Sequence, residues 1–381
     1  MPGFELIGKE EQKEINHLFD NSGILFRHGF DNLRNGIYKV QEFEKNFAEY
    51  MSVNGALAVT SGTAALKVAL EALGIKKGDE VITSAFTFVA TVEAIVETRA
   101  VPVIANVDKT LNISVKDIAR KITSKTKAII VIHMLGVATD MDAILEIAQK
   151  HNLKVIEDTA WGCGGEYKGK KLGTIGDVGC YSFDFAKTMT TGEGGMLIAR
   201  DHDVLERAKA FHDHGHENNP KLPRWEDSRS STGFNFRMTE LQGAVGLAQL
   251  RKLDYIVDKQ IENKAKIVNA LSTLDDNSFE FRHKPANSKD TSDALILLTE
   301  SNQRARAIRD KLLSKGYGTK ILPEAVTWHF AGDWYHITEI KQESLENIEE
   351  SRALLSRCVA LPIGVNMSLD LEVVKECFKN D

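Results

Sequence analysis

Short apolar runs that alternate with amphipathic stretches limit the fold of this 381-residue chain more than any other feature. The runs span residues 56–60, 80–83, 101–107, 127–134, 153–157, 178–183 and 194–199. Helical patterns separate the earlier runs, over residues 63–73, 87–97, 115–122 and 141–151. Uninterrupted apolar runs are typical of strands buried on both faces. The sequence therefore predicts an α/β fold with a large, mostly parallel sheet, in which the closely spaced last runs allow an antiparallel member.

The remainder of the chain predicts a second, smaller lobe. A long helical pattern begins near Met238 and continues toward Leu271, and an apolar run at 293–300 is followed by helical patterns at 303–315 and 345–358. We therefore expect a large domain with an N-terminal arm over residues 1–250. A smaller C-terminal α/β domain is expected over residues 251–381.

Composition argues against several classes of protein. The formal net charge is −6 and no Lys/Arg run stands out, so we expect no nucleic-acid partner. No stretch is long and apolar enough to cross a bilayer, and residues 1–12 lack an apolar signal-peptide core. The four cysteines lack metal-site spacing and are interpreted as reduced thiols. These features predict a cytoplasmic protein with no membrane partner.

The segment TSGTAAL, residues 60–66, follows the first predicted strand and begins a helix. In open α/β sheets, ligands bind at the carboxyl ends of strands. The backbone amides of Gly62 and Thr63 would lie at the positive end of that helix, where they could bind a phosphate. An ordinary helix cap by Ser61 or Thr63 explains the same pattern equally well.

Two further strand ends carry residues with chemical potential. Asp158 follows the run 153–157, where a buried carboxylate could pair with a pyridinium nitrogen, although a turn or cap explains a single aspartate more simply. Lys187 lies among small and apolar residues after the run 178–183, and desolvation there would favour the free amine that a Schiff base needs. Ser182 ends that run and could donate its hydroxyl to a phosphate. A single lysine is more often a solvated surface residue.

The motifs SGT, FTFVAT, IED, SFxxxKxxTTGEGG and NFRMxxxQ occur in this order along the chain. The ordered set resembles the DegT/DnrJ/EryC1/StrS sugar aminotransferases, which are aspartate-aminotransferase-like, fold-type I enzymes that use pyridoxal 5'-phosphate. The resemblance covers nearly the whole chain and is strongest over residues 56–250. The MPGFELIG start and the FRHGF segment are most similar to the subgroup that makes 8-amino-3,8-dideoxy-manno-octulosonate for lipopolysaccharide.

The resemblance implies a role for each matching residue. Lys187 would bond covalently to the cofactor and later move a proton, and Asp158 would pair with the pyridine nitrogen. The phosphate would be held by Gly62, Thr63 and Ser182. Phe88 would stack on the ring, although a core position explains that aromatic equally well. Asn235 would reach the phosphate of a neighbouring subunit, so the resemblance also implies a homodimer with shared active sites.

Two positions depart from the family pattern near the cofactor. Trp161 stands where relatives usually carry His or Gln, and Asp184 stands where many carry His or Asn. Neither change removes the cofactor chemistry. We expect Trp161 to contact the cofactor as a second stacking wall, with simple space-filling as the alternative.

Substrate contacts are expected from cations and histidines. Arg27, His28 and Arg34 precede the FEKNFA helix and could bind an anionic group, although a solvated arm explains each one more simply. His214 belongs to a loop that also carries His212 and His216, and His329 lies in the smaller lobe. The alternating histidines permit a metal-site hypothesis, but the loop composition and the proposed chemistry favour no metal. A satisfied core position is an equal alternative for His329.

These expectations point to transfer of an amino group from glutamate to a keto-sugar. The predicted acceptor is 8-oxo-3,8-dideoxy-octulosonate, and a nucleotide-linked keto-deoxyhexose is the alternative. A dehydratase of the same fold is disfavoured, because such enzymes often replace the lysine at the position of Lys187 with His. A non-catalytic binding protein remains a competing class. A nicotinamide dehydrogenase is a weak third, since no GxGxxG follows the first strand.

Overall fold

The computed structural model describes residues 2–219, 221–274 and 279–379. In it, the seven apolar runs between residues 56 and 199 form the strands of one seven-stranded sheet. This confirms the predicted α/β fold. In chain order, the strands of the described residues are β1 (Ala56–Val59), β2 (Glu80–Ser84), β3 (Val101–Ala105), β4 (Thr126–Ile132), β5 (Lys154–Asp158), β6 (Glu166–Tyr167), β7 (Lys170–Lys171), β8 (Val178–Ser182), β9 (Gly195–Ala199), β10 (Phe279–Phe281), β11 (Ser288–Lys289), β12 (Ala294–Thr299) and β13 (Cys358–Pro362).

The large sheet has the strand order β1-β9-β8-β5-β4-β2-β3. Strands β3, β2, β4, β5 and β8 pair in parallel, whereas β9 runs antiparallel to both β8 and β1. Within this sheet β9 is therefore the reversed strand, as the closely spaced last runs allowed. The carboxyl ends of the other six strands share one edge, and the predicted motifs follow strands that end there.

The helices form where the sequence provides periodic apolar faces and capping residues. The side chains of Ser61, Asp140 and Thr239 cap α4, α7 and α9 by accepting a hydrogen bond from a first-turn amide. The helices are α1 (Pro2–Glu5), α2 (Lys9–Asn21), α3 (Lys39–Met51), α4 (Gly62–Ala72), α5 (Val89–Glu97), α6 (Val115–Lys121), α7 (Met141–His151), α8 (His202–Phe211), α9 (Glu240–Leu271), α10 (Asn302–Ser314), α11 (Val326–His329), α12 (Glu349–Ser356) and α13 (Leu371–Phe378).

A smaller lobe follows the large sheet. Strands β10, β12 and β13 form an antiparallel sheet, and α10 and α13 pack their apolar residues against it. The 32-residue helix α9 leads from the large sheet into this lobe. Residue 250, where we placed the domain boundary, falls within α9, so the division into 1–250 and 251–381 does not coincide with a loop.

The N-terminal arm connects both lobes. The Gly3 amide donates a hydrogen bond to the Lys187 carbonyl over 3.1 Å, and a Cβ on Gly3 would lie 2.9 Å from that oxygen. Phe4 stacks on Phe185 with ring centroids 5.0 Å apart. Glu5 Oε2 accepts hydrogen bonds from the amides of residues 365 and 366 in the smaller lobe. The arm therefore holds the loop that carries Lys187 against the rest of the chain.

None of the described helices combines the length and the apolar character that crossing a bilayer requires.

Candidate active site

A cavity of about 340 Å³ lies at the sheet edge where the six strands end. This volume is within the range of pockets that bind small molecules and cofactors. The cavity brings together most of the residues predicted to contact a cofactor, and one predicted to contact substrate. Its lining includes Gly62, Thr63, Phe88, Asp158, Trp161, Ser182, Lys187 and His329.

Lys187 reaches into this cavity from the loop after β8. Its Nζ lies 3.7 Å from the centroid of the Trp161 ring, a distance at which the ring face attracts an ammonium ion. Burial of the amine lowers the pKa of Lys187 to about 8, against the opposing effects of Asp158 and Asp184. An amine with this pKa is partly uncharged near neutral pH, which a nucleophilic lysine requires.

Asp158 ends β5 and is buried, with 5% of its surface exposed. Thr91 Oγ1 donates a hydrogen bond of 2.8 Å to Asp158 Oδ2, and the Ala160 amide donates one of 3.2 Å to Oδ1. Burial raises the pKa of Asp158, whereas these two hydrogen bonds and the charge of Lys187 lower it. A fixed, buried carboxylate of this kind can stabilise a positively charged nitrogen in the cavity.

Another part of the cavity wall is formed by the turn that begins α4. Gly62 and Thr63 are the first two residues of that helix, so the helix provides no acceptor for their amides. The turn packs closely on its neighbours, because a Cβ on Gly62 would lie 2.7 Å from Ser182 Cβ. The helix amides and the Ser182 hydroxyl therefore occur together, as an anion site requires.

These residues fit pyridoxal 5'-phosphate. The donors of the α4 turn and Ser182 suit the phosphate, Asp158 suits the pyridine nitrogen, and the Lys187 amine suits the aldehyde carbon. Phe88 lines the same cavity with 43% of its surface exposed, which agrees with a ring-stacking role better than with a core position. These specific contacts remain predictions for this chain.

We expect the cofactor-free protein to take up pyridoxal phosphate covalently with a midpoint near pH 8. The free amine is the reacting form of Lys187, so the rate rises as pH passes upward through its lowered pKa. Stopped-flow absorbance of the lysine-bound cofactor between pH 6 and 11 measures this profile. A midpoint near 10.5, the ordinary pKa of lysine, would contradict the proposed environment of Lys187.

Trp161 and His329 line the cavity from different parts of the chain. Trp161 receives Lys187 Nζ on its ring and also has Lys320 Nζ 4.9 Å from its centroid, and its predicted role as a stacking wall stays a prediction. His329 comes from the smaller lobe, and its ring centroid lies 5.8 Å from that of Phe88. Burial lowers the pKa of His329, which favours the neutral imidazole.

Arg27 and Arg34 do not line the cavity of their own chain, so their predicted role as substrate-binding cations stays a prediction. Arg27 pairs with Glu44 at 2.6 Å and donates to the Ala58 carbonyl. Arg34 has no exposed side-chain surface and lies 3.3 Å from Glu240, which is equally buried. A local sequence pattern could not reveal this ion pair, because the partner of Arg34 is 206 residues away along the chain.

Replacing Arg34 with methionine should therefore reduce stability and leave substrate binding unchanged. Removing one partner of a buried ion pair leaves Glu240 uncompensated and costs about 3–5 kcal/mol. Urea denaturation of the variant measures this loss. Arg251→Met is the matched control, because Arg251 pairs with Glu14 at the surface and its removal should change stability little. A stable Arg34→Met protein with weakened substrate binding would support the original hypothesis.

The histidine-rich loop also lies outside the cavity lining. His214 is exposed. His212 is buried, and its Nδ1 forms a hydrogen bond with the Lys209 carbonyl. His216 pairs with Asp227, and His28 lies 3.2 Å from Asp213. The predicted substrate contacts of His28 and His214 are therefore not found within this chain. Among the described residues, no group of His, Cys, Asp or Glu is arranged to hold a metal ion.

Asn235 is exposed and does not line the cavity of its own chain. Its Oδ1 accepts a hydrogen bond from the Arg237 amide. Phe234 and Trp225, on nearby segments, expose 56% and 85% of their surfaces. A contribution of Asn235 to a partner's site therefore remains a prediction.

Sequence reasoning missed residues that position the site. Thr91 holds Asp158, and Thr87 Oγ1 lies 2.8 Å from Thr91 Oγ1. A signal was present, because Thr87 and Thr91 both belong to the FTFVAT motif, although Thr87 lies just before α5 and only Thr91 is within it. Lys320 carried no comparable signal, since it lies outside every recognised motif.

The chain is similar to known aminotransferases over most of its length. The sequence model of the DegT/DnrJ/EryC1/StrS aminotransferase family matches residues 27–378. GDP-perosamine synthase from Escherichia coli O157:H7 is 37% identical over 314 residues, which is 81% of this chain and 80% of that protein.

Solved structures extend the similarity to the whole fold. The aminotransferase from Psychrobacter cryohalolentis superposes with a TM-score of 0.83 at 28% identity, over 97% of this chain and 96% of that one. The aminotransferase TlmJ from Streptoalloteichus hindustanus gives 0.81 at 26% identity, over 98% and 95%. This chain therefore belongs to the DegT/DnrJ/EryC1/StrS aminotransferase family and is a pyridoxal-phosphate-dependent sugar aminotransferase.

Proposed function

We propose that the protein transfers the amino group of glutamate to 8-oxo-3,8-dideoxy-octulosonate, with the cofactor held in the described cavity. The supporting observation is one arrangement of three groups. A lysine amine with a lowered pKa, a buried carboxylate and a helix N-terminus with a serine hydroxyl line the same cavity. Retention of Lys187 argues against the dehydratase alternative.

Each residue has a distinct task in this reaction. When bound, pyridoxal phosphate supplies the electron sink for the carbon that loses or gains a proton. Asp158 keeps the ring nitrogen protonated, and Thr91 keeps Asp158 in place. Lys187 Nζ moves the proton between the substrate carbon and the cofactor carbon. Phe88 and Trp161 form apolar walls that exclude water from that proton transfer.

Two acceptor classes need to be distinguished. The resemblance of the MPGFELIG and FRHGF segments to the octulosonate subgroup supports an acidic keto-sugar. The name of the perosamine synthase relative supports a nucleotide-linked keto-deoxyhexose instead. Arg27 and Arg34 lie outside the cavity lining, which removes one argument for the acidic sugar. The choice between the two acceptor classes therefore depends on experiment.

The deciding experiment separates the two halves of the reaction. Glutamate first converts the lysine-bound cofactor to its aminated form, and excess glutamate is then removed. Each candidate keto-sugar is added in turn, and absorbance reports the return of the lysine-bound form. We expect return with the octulosonate. Return with only the nucleotide-linked sugar would refute the proposed acceptor, and no conversion by glutamate would refute the donor.

We also propose a homodimer with shared active sites, as the resemblance predicts for Asn235. Mixing Lys187→Ala chains with Asn235→Ala chains should then restore part of the activity that each variant lacks. One of the two sites in a mixed dimer carries both intact residues, while the other carries neither. Sedimentation measures the assembly and a turnover assay measures the recovery. Full activity in a stable monomer would contradict this arrangement.

A further inference from the structure

We infer that Lys320, held by Asp293 beside Trp161, binds a carboxylate of the substrate; this inference rests on the proposed amino-transfer function. The carboxylate belongs either to the amino-acid donor or to an acidic keto-sugar. Lys320 lies outside every recognised motif, and the family resemblance gave it no role.

The backbone around Lys320 is fixed by the smaller lobe. The Lys320 amide donates to the Ala360 carbonyl over 2.8 Å, and the Ala360 amide donates to the Leu322 carbonyl over 3.1 Å. These hydrogen bonds attach residues 320–322 to strand β13. Leu322 is fully buried in the same apolar cluster as Trp161. Because the segment is anchored, the position of the Lys320 side chain is set by the sheet rather than by a free loop.

Asp293 orients the Lys320 side chain. Lys320 Nζ donates to Asp293 Oδ2 over 2.6 Å and more weakly to the Asp293 carbonyl over 3.4 Å. Asp293 precedes β12 and exposes only 2% of its surface. A lysine ammonium has three N–H donors. Asp293 uses two of them, and within the described ranges no further acceptor is bonded to the third.

The same ammonium lies against Trp161, a residue of the cavity lining, although Lys320 itself is not part of that lining. Its Nζ is 4.9 Å from the centroid of the Trp161 ring, which also lies 3.7 Å from Lys187 Nζ. Trp161 lines the cavity, so a cation from the smaller lobe and the reactive lysine meet at one ring. The electrostatic effect of Lys320 extends to Lys187, where it contributes to the lowered pKa.

Several carboxylates line the cavity, so a substrate carboxylate requires a nearby cation to bind there. Asp158, Asp184 and Glu193 supply carboxylates to the lining, whereas the Lys187 amine is committed to the cofactor rather than to a substrate carboxylate. An amino-acid donor and a sugar acid both bring a further carboxylate. Arg27 and Arg34 are paired elsewhere, whereas Lys320 of the smaller lobe lies close enough to the reacting lysine to act on its charge.

The test compares Lys320→Met with wild type in each half-reaction of the cofactor-loaded enzyme. We expect the variant to need about 10- to 100-fold more L-glutamate for half-saturation, which is the usual value of a hydrogen bond to a charged group. L-glutamate 1-methyl ester lacks the α-carboxylate and L-glutamine lacks the side-chain carboxylate. If wild type and variant bind one of these probes equally well, the carboxylate that this probe lacks is the one that Lys320 contacts.

A second arm identifies the source of the carboxylate. If Lys320 binds the sugar acid, the variant loses affinity for the octulosonate in the second half-reaction and keeps wild-type affinity for L-glutamate. Lys341→Met is the matched control, because Lys341 pairs with buried Glu80 at 2.8 Å and does not line the cavity. Lys320→Arg should recover much of the lost affinity.

A structural role for Lys320 would give a different result. In that case Lys320→Met would lower thermal stability or cofactor retention and would weaken all probes equally. Lys320→Gln provides a second variant if the methionine protein folds poorly. Half-saturation within twofold of wild type in both arms would overturn the inference. Absence of any half-reaction in the wild-type enzyme would instead refute the proposed function.

Discussion

Alanine in place of Lys187 should reduce amino transfer by at least about 1000-fold, since the variant loses both the covalent partner of the cofactor and the group that moves the proton. The fold should persist, because Lys187 lies at the cavity and its amine contacts the Trp161 ring rather than a buried ion pair. Steady-state turnover measures the loss. Borohydride reduction followed by peptide mass spectrometry should locate the cofactor on Lys187 in wild type and on no residue in the variant.

The matched control for Lys187→Ala is another partly buried lysine with a lowered pKa. Lys121 donates to the Ser344 carbonyl over 2.6 Å and joins the two lobes away from the cavity. Lys121→Met should lower stability and leave the covalent cofactor adduct in place. Substantial turnover by Lys187→Ala, or adduct formation elsewhere on the chain, would refute the role assigned to Lys187.

Asparagine at position 158 should reduce amino transfer by about 100- to 1000-fold, the range found when one electrostatic stabiliser of a transition state is removed. The substitution keeps the shape of the side chain. Because asparagine has a single oxygen, it can still accept from either Thr91 Oγ1 or the Ala160 amide, while its NH2 group faces the other of the two. The variant therefore loses the negative charge beside the ring nitrogen and changes one hydrogen bond of the side chain. Single-turnover rates with glutamate measure the effect, and cofactor binding measured separately shows whether the site remains formed.

Asp184→Asn is the matched control for Asp158→Asn. Asp184 also lines the cavity and accepts a hydrogen bond from the Ala186 amide, but it follows β8 rather than β5. We expect Asp184→Asn to change the rate by less than tenfold, which is about the effect of one neutral hydrogen bond. Equal losses in both variants would show that general cavity charge, and not a specific contact with the ring nitrogen, explains the effect of Asp158.

The sequence predicted the large sheet well because its information is local. Each strand of that sheet is a run of apolar residues, and each intervening helix has a period that a short window reveals. The smaller lobe was harder to predict. Strands β13 and β11 pair with distant segments, so their sequences alone do not mark them. Strands β6 and β7 form a local pair, but two residues each are too few to show a pattern.

The clustering of the candidate cofactor residues was predictable for a related reason. Gly62, Asp158 and Ser182 lie on or directly after strands that end at one edge, so identifying the strands placed these residues together. The positions of the candidate substrate residues were not predictable in this way. Arg34 looked like a free cation because Glu240 is remote in sequence, and Lys320 reaches Trp161 only through the packing of the smaller lobe.

The contact between Gly3 and Lys187 also bears on the order in which the protein folds and binds its cofactor. The loop that carries Lys187 is held by the start of the chain, and its cavity is closed by His329 from the smaller lobe. Contacts so widely separated in sequence form slowly, because closing long loops costs entropy before any contact repays it. We therefore expect covalent capture of the cofactor to follow, not precede, docking of the two lobes, so that the yellow colour of refolding protein reports completed assembly.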